Sequence, residues 1–248
     1  MDLTVVIITL NEEFNIYRCL SSIPKGCEII VVDSGSQDRT VELCHSFGAK
    51  VFSNDFVDYA SQKNFGISKS TRSWILSLDA DEELSSGASD GLVDLISKGK
   101  SDISGYKLRR RLIFMGKTMN WGKTRDAPLR LFLRDKAEFH GAVHEKVILR
   151  EGRVKTFSVG YISHYSYKDL HDYFLKFNKY TSLLSDQKAE INLVVFSAHL
   201  LRPFFEFFVR YVIRLGFLDG YPGYVYALNS SMYAFTKYSK SYEKRFLG

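Results

Sequence analysis

Short apolar runs rich in β-branched residues, each ending in polar groups and separated by stretches of helical periodicity, constrain this chain more than any other feature. Residues 3–9 read LTVVIIT and residues 28–32 read EIIVV, the pattern of strands buried on both faces. Between them Asn11 and Glu12 open a segment with apolar positions at Phe14, Ile16, Cys19, Leu20 and Ile23, which predicts a short helix and hence a βαβ unit. The alternation continues with a helix over 38–44, a strand over 49–52, a helix over 61–70 and a strand over 73–78. Such an order implies a doubly wound parallel sheet whose ligand site lies at the carboxyl ends of its strands. Beyond residue 104 the runs GYKLRRRLIFM, PLRLFLR and KVILREGRVKTF predict a mixed or antiparallel addition to that sheet. From Lys168 the pattern turns helical.

The chain's 248 residues suffice for one large α/β domain with a helical appendage. A net charge of +6 points to partners bearing phosphate without choosing among nucleic acid, anionic lipid and nucleotide. No nucleic-acid-reading motif accompanies that charge, so nucleic acid is the weakest of the three. Cys19, Cys27 and Cys44 are odd in number and lack CxxC spacing, which favours neither a disulfide framework nor a zinc site and suits a reducing compartment. The opening MDLTVVIITLNEE lacks the basic start and small-residue cleavage site of a signal peptide. Arg202, Glu206, Arg210 and Arg214 interrupt the best candidate for a membrane span. A cytoplasmic location is therefore expected, at the cytoplasmic face of the inner membrane if the chain meets a bilayer.

The sharpest chemical motif is Asp79-Ala80-Asp81-Glu82, directly after the apolar run WILSL. Carboxylates at a strand end can hold Mg²⁺ or Mn²⁺ and so neutralise a departing diphosphate, or can simply cap the following element. Asp33, before SGSQDRT, can accept from the N–H of a uracil-like base or can fold the turn beside Gly35. Thr9, Asn11 and Glu12 end the first strand, where they line a nucleotide pocket or start a helix.

In order along residues 4–84, VVIITLNEE, VVDSGSQDRT, DYASQKNFG and LDADEEL resemble the nucleotide-binding half of family-2 glycosyltransferases. WGKTRDAPLRLFLRDKAEFHGAVHE, GYISHYSY and LGFLDGYPGYVYALNSSMYAFTKYSK are similar to a bacterial subgroup that includes lipopolysaccharide inner-core β-1,4-glucosyltransferases. The resemblance implies a GT-A, Rossmann-like α/β fold with a mixed sheet and a C-terminal helical extension. Residues 1–167 would form the catalytic domain, with 1–103 its nucleotide-binding half and 104–167 its acceptor half, and 168–248 the helical region.

The implied reaction is a metal-dependent hexosyl transfer with inversion, moving glucose from UDP-glucose to a lipid-linked core saccharide. Rivals are a peptide or protein acceptor and a non-catalytic nucleotide-binding regulator on the same fold. By resemblance Asp33 would read the base, Asp79 would stand near the ribose and metal, and Asp81 would ligate Mg²⁺ or Mn²⁺, with Ala80 between them. Lys63 and Asn64 would lie near the nucleotide. Inversion needs a general base at the acceptor hydroxyl, for which Glu145 is the first candidate and Glu82 the second. His164 would be a further metal ligand or a packed histidine, and His144 another active-site contact. Arg125, Arg130 and Arg134 would clamp phosphate oxygens, and Trp121 offers a flat surface for a sugar ring or for the core. Residues 200–218 set Phe204, Phe205, Phe207 and Phe208 among arginines, predicting one basic amphipathic helix that meets a lipid surface, the catalytic domain or a second subunit of a homo-oligomer.

Overall fold

A computed structural model describes residues 1–98, 102–141, 145–186 and 193–246. In chain order the elements are β1 (Leu3–Thr9), α1 (Glu13–Ser21), β2 (Glu28–Asp33), α2 (Thr40–Ser46), β3 (Lys50–Ser53), α3 (Tyr59–Lys69), β4 (Trp74–Asp79), β5 (Glu82–Leu84) and α4 (Ser86–Ser97). There follow β6 (Ile103–Phe114), β7 (Lys117–Thr118), β8 (Arg125–Asp126), β9 (Leu129–Leu133), β10 (Ala137–His140), β11 (Lys146–Leu149) and β12 (Arg153–His164). The helices α5 (Leu170–Asp186), α6 (Leu193–Phe208) and α7 (Gly220–Phe246) complete the fold. The chain divides into one compact unit of Met1–Arg110 with Asp126–His164 and a second of Arg111–Arg125 with Tyr165–Gly248.

In the first unit the sheet order is β3-β2-β1-β4-β9-β6-β12-β5. The leading strands β1, β2, β3 and β4 are parallel, and β9 then pairs antiparallel with both β4 and β6. This is the expected α/β fold with a mixed sheet. Register brings Thr9 beside Asp33 and Ile8 beside Asp79, so β1, β2 and β4 end at a common level. Alternation along β1 splits the core between the two faces of the sheet. Leu3, Val5 and Ile7 pack with Ile16, Cys19 and Leu20 of α1, Cys44 of α2 and Leu92 of α4, whereas Val6 packs with Ala60 of α3, Phe132 of β9 and Phe139 of β10.

Helix α3 begins where the Asp58 carboxylate accepts from Ser61 N at 2.7 Å, an N-cap that satisfies one orphan donor. Its Gly66 lets it lie close on the sheet, since a Cβ there would stand 2.4 Å from Val6 Cγ1 and 3.1 Å from Val32 Cγ2. That close approach lets Lys63, one turn earlier on α3, sit at the sheet's carboxyl end while only 1% exposed.

At the opposite end of the sheet, Glu28 of β2 clasps three other segments. Its carboxylate accepts from Thr4 Oγ1 at 2.6 Å, Thr71 N at 2.8 Å, Thr71 Oγ1 at 3.1 Å and Lys50 Nζ at 2.8 Å. Burial alone would raise the Glu28 carboxyl, but the donors Lys50, Thr4 and Thr71 outweigh it and hold it down at about 2, against an ordinary value of 4.5. A depressed acid stabilises the fold fully above its unfolded value, and that stability is lost as pH falls from about 4.5 through about 2. Glu28→Gln is expected to lower stability at pH 7 by about 2 kcal/mol after solvent screening and to flatten the acid limb between those values. Urea unfolding at pH 7 and pH 3 checks this; equal losses at both would refute it.

In the second unit Leu112, Phe114, Met119 and Tyr173 form a core with Tyr167, Phe177 and Tyr226. The Phe114 ring meets Tyr173, Tyr226 and Tyr167 edge-on at centroid distances of 5.7, 5.4 and 6.2 Å, the geometry aromatic quadrupoles prefer. The single helix expected over 200–218 is interrupted here. A π-type turn at Val209–Ile213 is followed by Leu215 at φ 56° and a 3-10 turn at Gly216–Asp219 before α7 begins. The reversal is tight: a Cβ on Gly216 would lie 2.6 Å from the Arg210 carbonyl oxygen, and one on Gly223 would lie 2.0 Å from that of Gly216. Two of the arginines expected on a lipid-facing stripe are instead engaged within the unit. Arg202 donates to the Tyr238 hydroxyl at 2.7 Å, and Arg210 pairs with Glu206 at 3.3 Å. Among the described residues no helix is long and apolar enough to cross a membrane.

Candidate functional site

At the carboxyl end of β4, in the first unit, acidic and basic side chains alternate in one continuous chain. Glu145 Oε1 meets Lys63 Nζ at 2.8 Å; the same ammonium meets Asp79 Oδ1 at 2.8 Å; Asp79 Oδ2 meets Arg130 Nη2 at 2.7 Å. Arg130 Nη2 also meets Glu82 Oε1 at 2.6 Å, Arg110 Nη1 meets that oxygen at 3.0 Å, and Arg110 Nη2 meets Asp126 Oδ2 at 2.6 Å. Each member comes from a different place: α3, β4, β9, β5, β6, β8 and the residue before β11. The turn between β4 and β5 carries Ala80 and Asp81, and it is closed by Asp79 N donating to Glu82 Oε2 at 3.0 Å.

Burial governs the electrostatics. The side chains of Lys63, Arg130 and Glu82 are 2%, 5% and 0% exposed, so each charge persists only because an opposite charge stands against it. Burial would raise the Asp79 carboxyl, but Arg130 and Lys63 override it and hold it well below the usual carboxylate range. Burial would likewise lower the Arg130 guanidinium, and Asp79 and Glu82 raise it instead. Glu82 is gripped by Arg110, by Arg130 and by its own turn.

Asp81 differs from its two neighbours. Its Oδ2 lies 3.4 Å from His164 Nε2, because β12 pairs antiparallel with β5 and sets His164 opposite Glu82. Burial would lower the His164 imidazole, but its hydrogen bond and charge interaction with Asp81 raise it above its ordinary value of 6.5. One carboxylate and one imidazole suit Mg²⁺ or Mn²⁺ where diphosphate oxygens and water complete the shell. Among the described residues no group of three His, Cys, Asp or Glu side chains is placed to hold a metal ion unaided. The residues therefore fit a cation that arrives with a diphosphate.

The other sequence candidates fall into two groups. Near the ends of β1 and β2, Asp33 Oδ2 accepts from Gly35 N and Ser36 N, both at 2.9 Å, and Asp33 Oδ1 accepts from Ser36 Oγ at 2.5 Å. Asn11, at φ 54°, donates its backbone N–H to Ser36 Oγ at 2.8 Å and accepts from Gln37 N at 2.8 Å. Glu12 N donates to Thr40 Oγ1 at 2.8 Å. These loops thus brace each other, while the buried Thr9 Oγ1 finds no hydrogen-bond partner among the described residues. The second group serves as scaffold. Asn64 uses both ends of its amide on the Phe139 main chain, at 2.9 Å each, and Arg134 donates to Ser70 O at 3.0 Å. Arg125 and Trp121 belong to the second unit, and His144 lies outside the described residues. The sequence reading missed Arg110 and Asp126, whose part depends on long-range strand pairing, and Gln62. Gln62 is fully buried and donates to Ser34 Oγ at 2.7 Å and to Asn54 O at 2.8 Å; its place beside Lys63 in SQKN was the available signal.

Comparison with known proteins gives a consistent outcome. The family model described as glycosyl transferase family 2 matches residues 4–152. The lipopolysaccharide core biosynthesis glycosyltransferase LpsC of Rhizobium meliloti is 29% identical over 100% of this chain and 94% of its own. An uncharacterized glycosyltransferase of Rickettsia typhi is 28% identical over 95% and 84%. Among solved structures, S. aureus TarS in complex with UDP-GlcNAc matches 99% of this chain and 89% of its own at 14% identity and a TM-score of 0.47. Glucosyl-3-phosphoglycerate synthase of Mycobacterium tuberculosis, with Mn²⁺, UDP and glucosyl-3-phosphoglycerate, matches 44% and 43% at 23% identity and a TM-score of 0.36.

Proposed function

The chain belongs to glycosyl transferase family 2, and from that premise we propose that it moves glucose from UDP-glucose, with inversion, to a saccharide hydroxyl of a lipid-linked lipopolysaccharide core. The observation that carries the donor site is the division of labour within the turn after β4. Asp79 is bound by Lys63 and Arg130, which leaves Asp81 facing His164. Asp81 and His164 would hold Mg²⁺ or Mn²⁺, which supplies charge neutralisation for the departing diphosphate. Thr9, Asn11, Glu12 and Asp33 would border the nucleoside, with Asp33 kept rigid by its turn. Residues 1–103, completed by Arg130 and His164 from later strands, would thus carry donor binding, and the rest of 104–167 the acceptor side.

Inversion requires the acceptor oxygen to attack the anomeric carbon from the face opposite the leaving diphosphate, its proton passing to a base. Glu145 fills that role in this proposal, its Oε1 held 2.8 Å from Lys63 Nζ. Lys63 also ties the base to Asp79, so base and donor turn are positioned together.

Calorimetry of UDP and UDP-glucose with and without Mn²⁺ tests the donor site. Metal-dependent binding is expected in the wild-type chain and is expected to be lost in Asp81→Ala. A proton on His164 competes with the cation, so affinity should fall as pH drops through a midpoint above 6.5. If neither nucleotide binds under any metal condition, the UDP-sugar assignment fails.

A lipid-linked acceptor brings the protein to a bilayer, and the second unit offers an apolar surface for it. Leu201, Phe204, Phe205 and Ile213 are 71%, 75%, 66% and 60% exposed. Such a surface is expected to carry the protein down with anionic liposomes at low salt. Phe204→Ser with Phe205→Ser should leave it in the supernatant; failure of the wild-type chain to sediment would remove membrane attachment from the proposal.

A further inference from the structure

The second unit contains a cavity of about 320 Å³ lined by Trp121, Lys123, Thr124, Arg125, Ile213 and Arg214, among others. That volume is at the small end of the range of ~300–1,000 Å³ found for ligand sites. Lys123, Arg125 and Arg214 are exposed, and none has a carboxylate partner among the described residues. Three like charges around one cavity repel one another, and an oxyanion seated among them would remove that repulsion. The Arg125 guanidinium stands 5.4 Å from the centre of the Trp121 ring, so a bidentate donor and a flat apolar surface are adjacent.

The walls are held from behind. The Asp219 carboxylate, 1% exposed, accepts from Asn120 N at 3.0 Å and from Trp121 N at 2.8 Å. Gly122 N donates to Arg214 O at 2.9 Å, and Thr124 Oγ1 donates to Trp121 O at 2.6 Å. Gly122, Lys123 and Leu215 hold positive φ of 69°, 67° and 56°. For the non-glycine Lys123 and Leu215 this backbone is costly and persists only where the surroundings impose it. The charge cluster is therefore displayed by a braced backbone.

We propose that this cavity binds a sugar carrying an oxyanion, a phosphate or a carboxylate, with the ring against Trp121 and the charge among Lys123, Arg125 and Arg214. As a site for the saccharide class of that transfer, it rests on the reading proposed above. Its chemistry is distinct from that of the proposed donor turn, where Asp81 and His164 would hold a cation.

The full chain carrying Trp74→Phe leaves Trp121 as the one tryptophan of a chain that has two, so fluorescence reports the cavity. Glucose 6-phosphate and glucuronate are expected to give saturable changes, with glucose and inorganic phosphate each at least about tenfold weaker. Arg125→Gln combined with Arg214→Gln should weaken the anionic sugars by about tenfold or more, while UDP-glucose binding with Mn²⁺ stays at the wild-type level. If Trp74→Phe does not fold, saturation-transfer NMR on the wild-type chain makes the same comparison. Glucose or inorganic phosphate binding as tightly as glucose 6-phosphate would overturn the proposal, and so would unchanged binding in the double variant. The same substitutions abolishing liposome sedimentation while sparing glucose 6-phosphate would assign the cations to a membrane and also overturn it. Loss of UDP-glucose binding in the wild-type chain would instead strike the donor assignment alone.

Discussion

Arg130→Met is expected to destabilise the protein by about 3–5 kcal/mol, the cost of removing one partner from a buried ion pair. The guanidinium stands between Asp79 at 2.7 Å and Glu82 at 2.6 Å, and the Glu82 side chain is fully buried. Without Arg130, Asp79 keeps Lys63 and Glu82 keeps Arg110, but each loses its shorter contact, and methionine offers no donor. Glu82 would then have to remain charged in a dry site or take up a proton. Urea unfolding monitored by circular dichroism measures the loss. A change below about 1 kcal/mol would show that the central link of the chain contributes little. Arg130→Met with Glu82→Gln should recover part of the stability, because the residue left behind is then neutral.

Glu145→Gln is expected to lower the rate of glucosyl transfer by about 10²–10⁴-fold, the range for removing a general base, while leaving UDP-glucose affinity close to wild type. The amide keeps an oxygen that can accept from Lys63, which sits 2.8 Å from Glu145 Oε1 and 2.8 Å from Asp79, so the donor turn should stay in place. Single-turnover transfer alongside calorimetric affinity separates the two effects. Transfer within about fivefold of wild type would remove Glu145 as the base. A parallel loss of affinity would make it a positioning residue acting through Lys63.

The placement of the carboxylates proposed for the donor side was legible because they stand where buried strands end. WILSL followed by DADE, and EIIVV followed by Asp33, place their carboxylates by a rule that needs only local pattern, and the register of β1, β2 and β4 brings them to one level. The grip on those carboxylates was not legible. Arg130 read as a phosphate clamp, yet β9 lies against β4 and delivers its guanidinium to Asp79 from the side. Asn64 read as a nucleotide contact, and only the docking of β10 on α3 shows its amide paired with the Phe139 main chain. The helix expected over 200–218 had a visible contrary signal in Gly216, Gly220, Pro222 and Gly223. The run of Phe and Arg residues outweighed it. Helix α4 and strand β5 escaped because ELSSGASDGLVDLIS carries two glycines and few strong helix formers.

The ion chain at the end of β4 also bears on modularity. Its first contact alone joins Lys63 to Glu145 across 82 residues, and its acids Asp79 and Glu82, the latter fully buried, are neutralised by Arg130 and Arg110 from beyond residue 103. Residues 1–103 alone would retain the parallel strands and the turn that carries Asp81 but strand those acids without their guanidinium partners. The proposed donor site is consequently not a cassette that can be cut out or transplanted: the later strands complete it electrostatically. A graft of residues 1–103 onto the later strands of a relative would have to bring Arg110 and Arg130 with it.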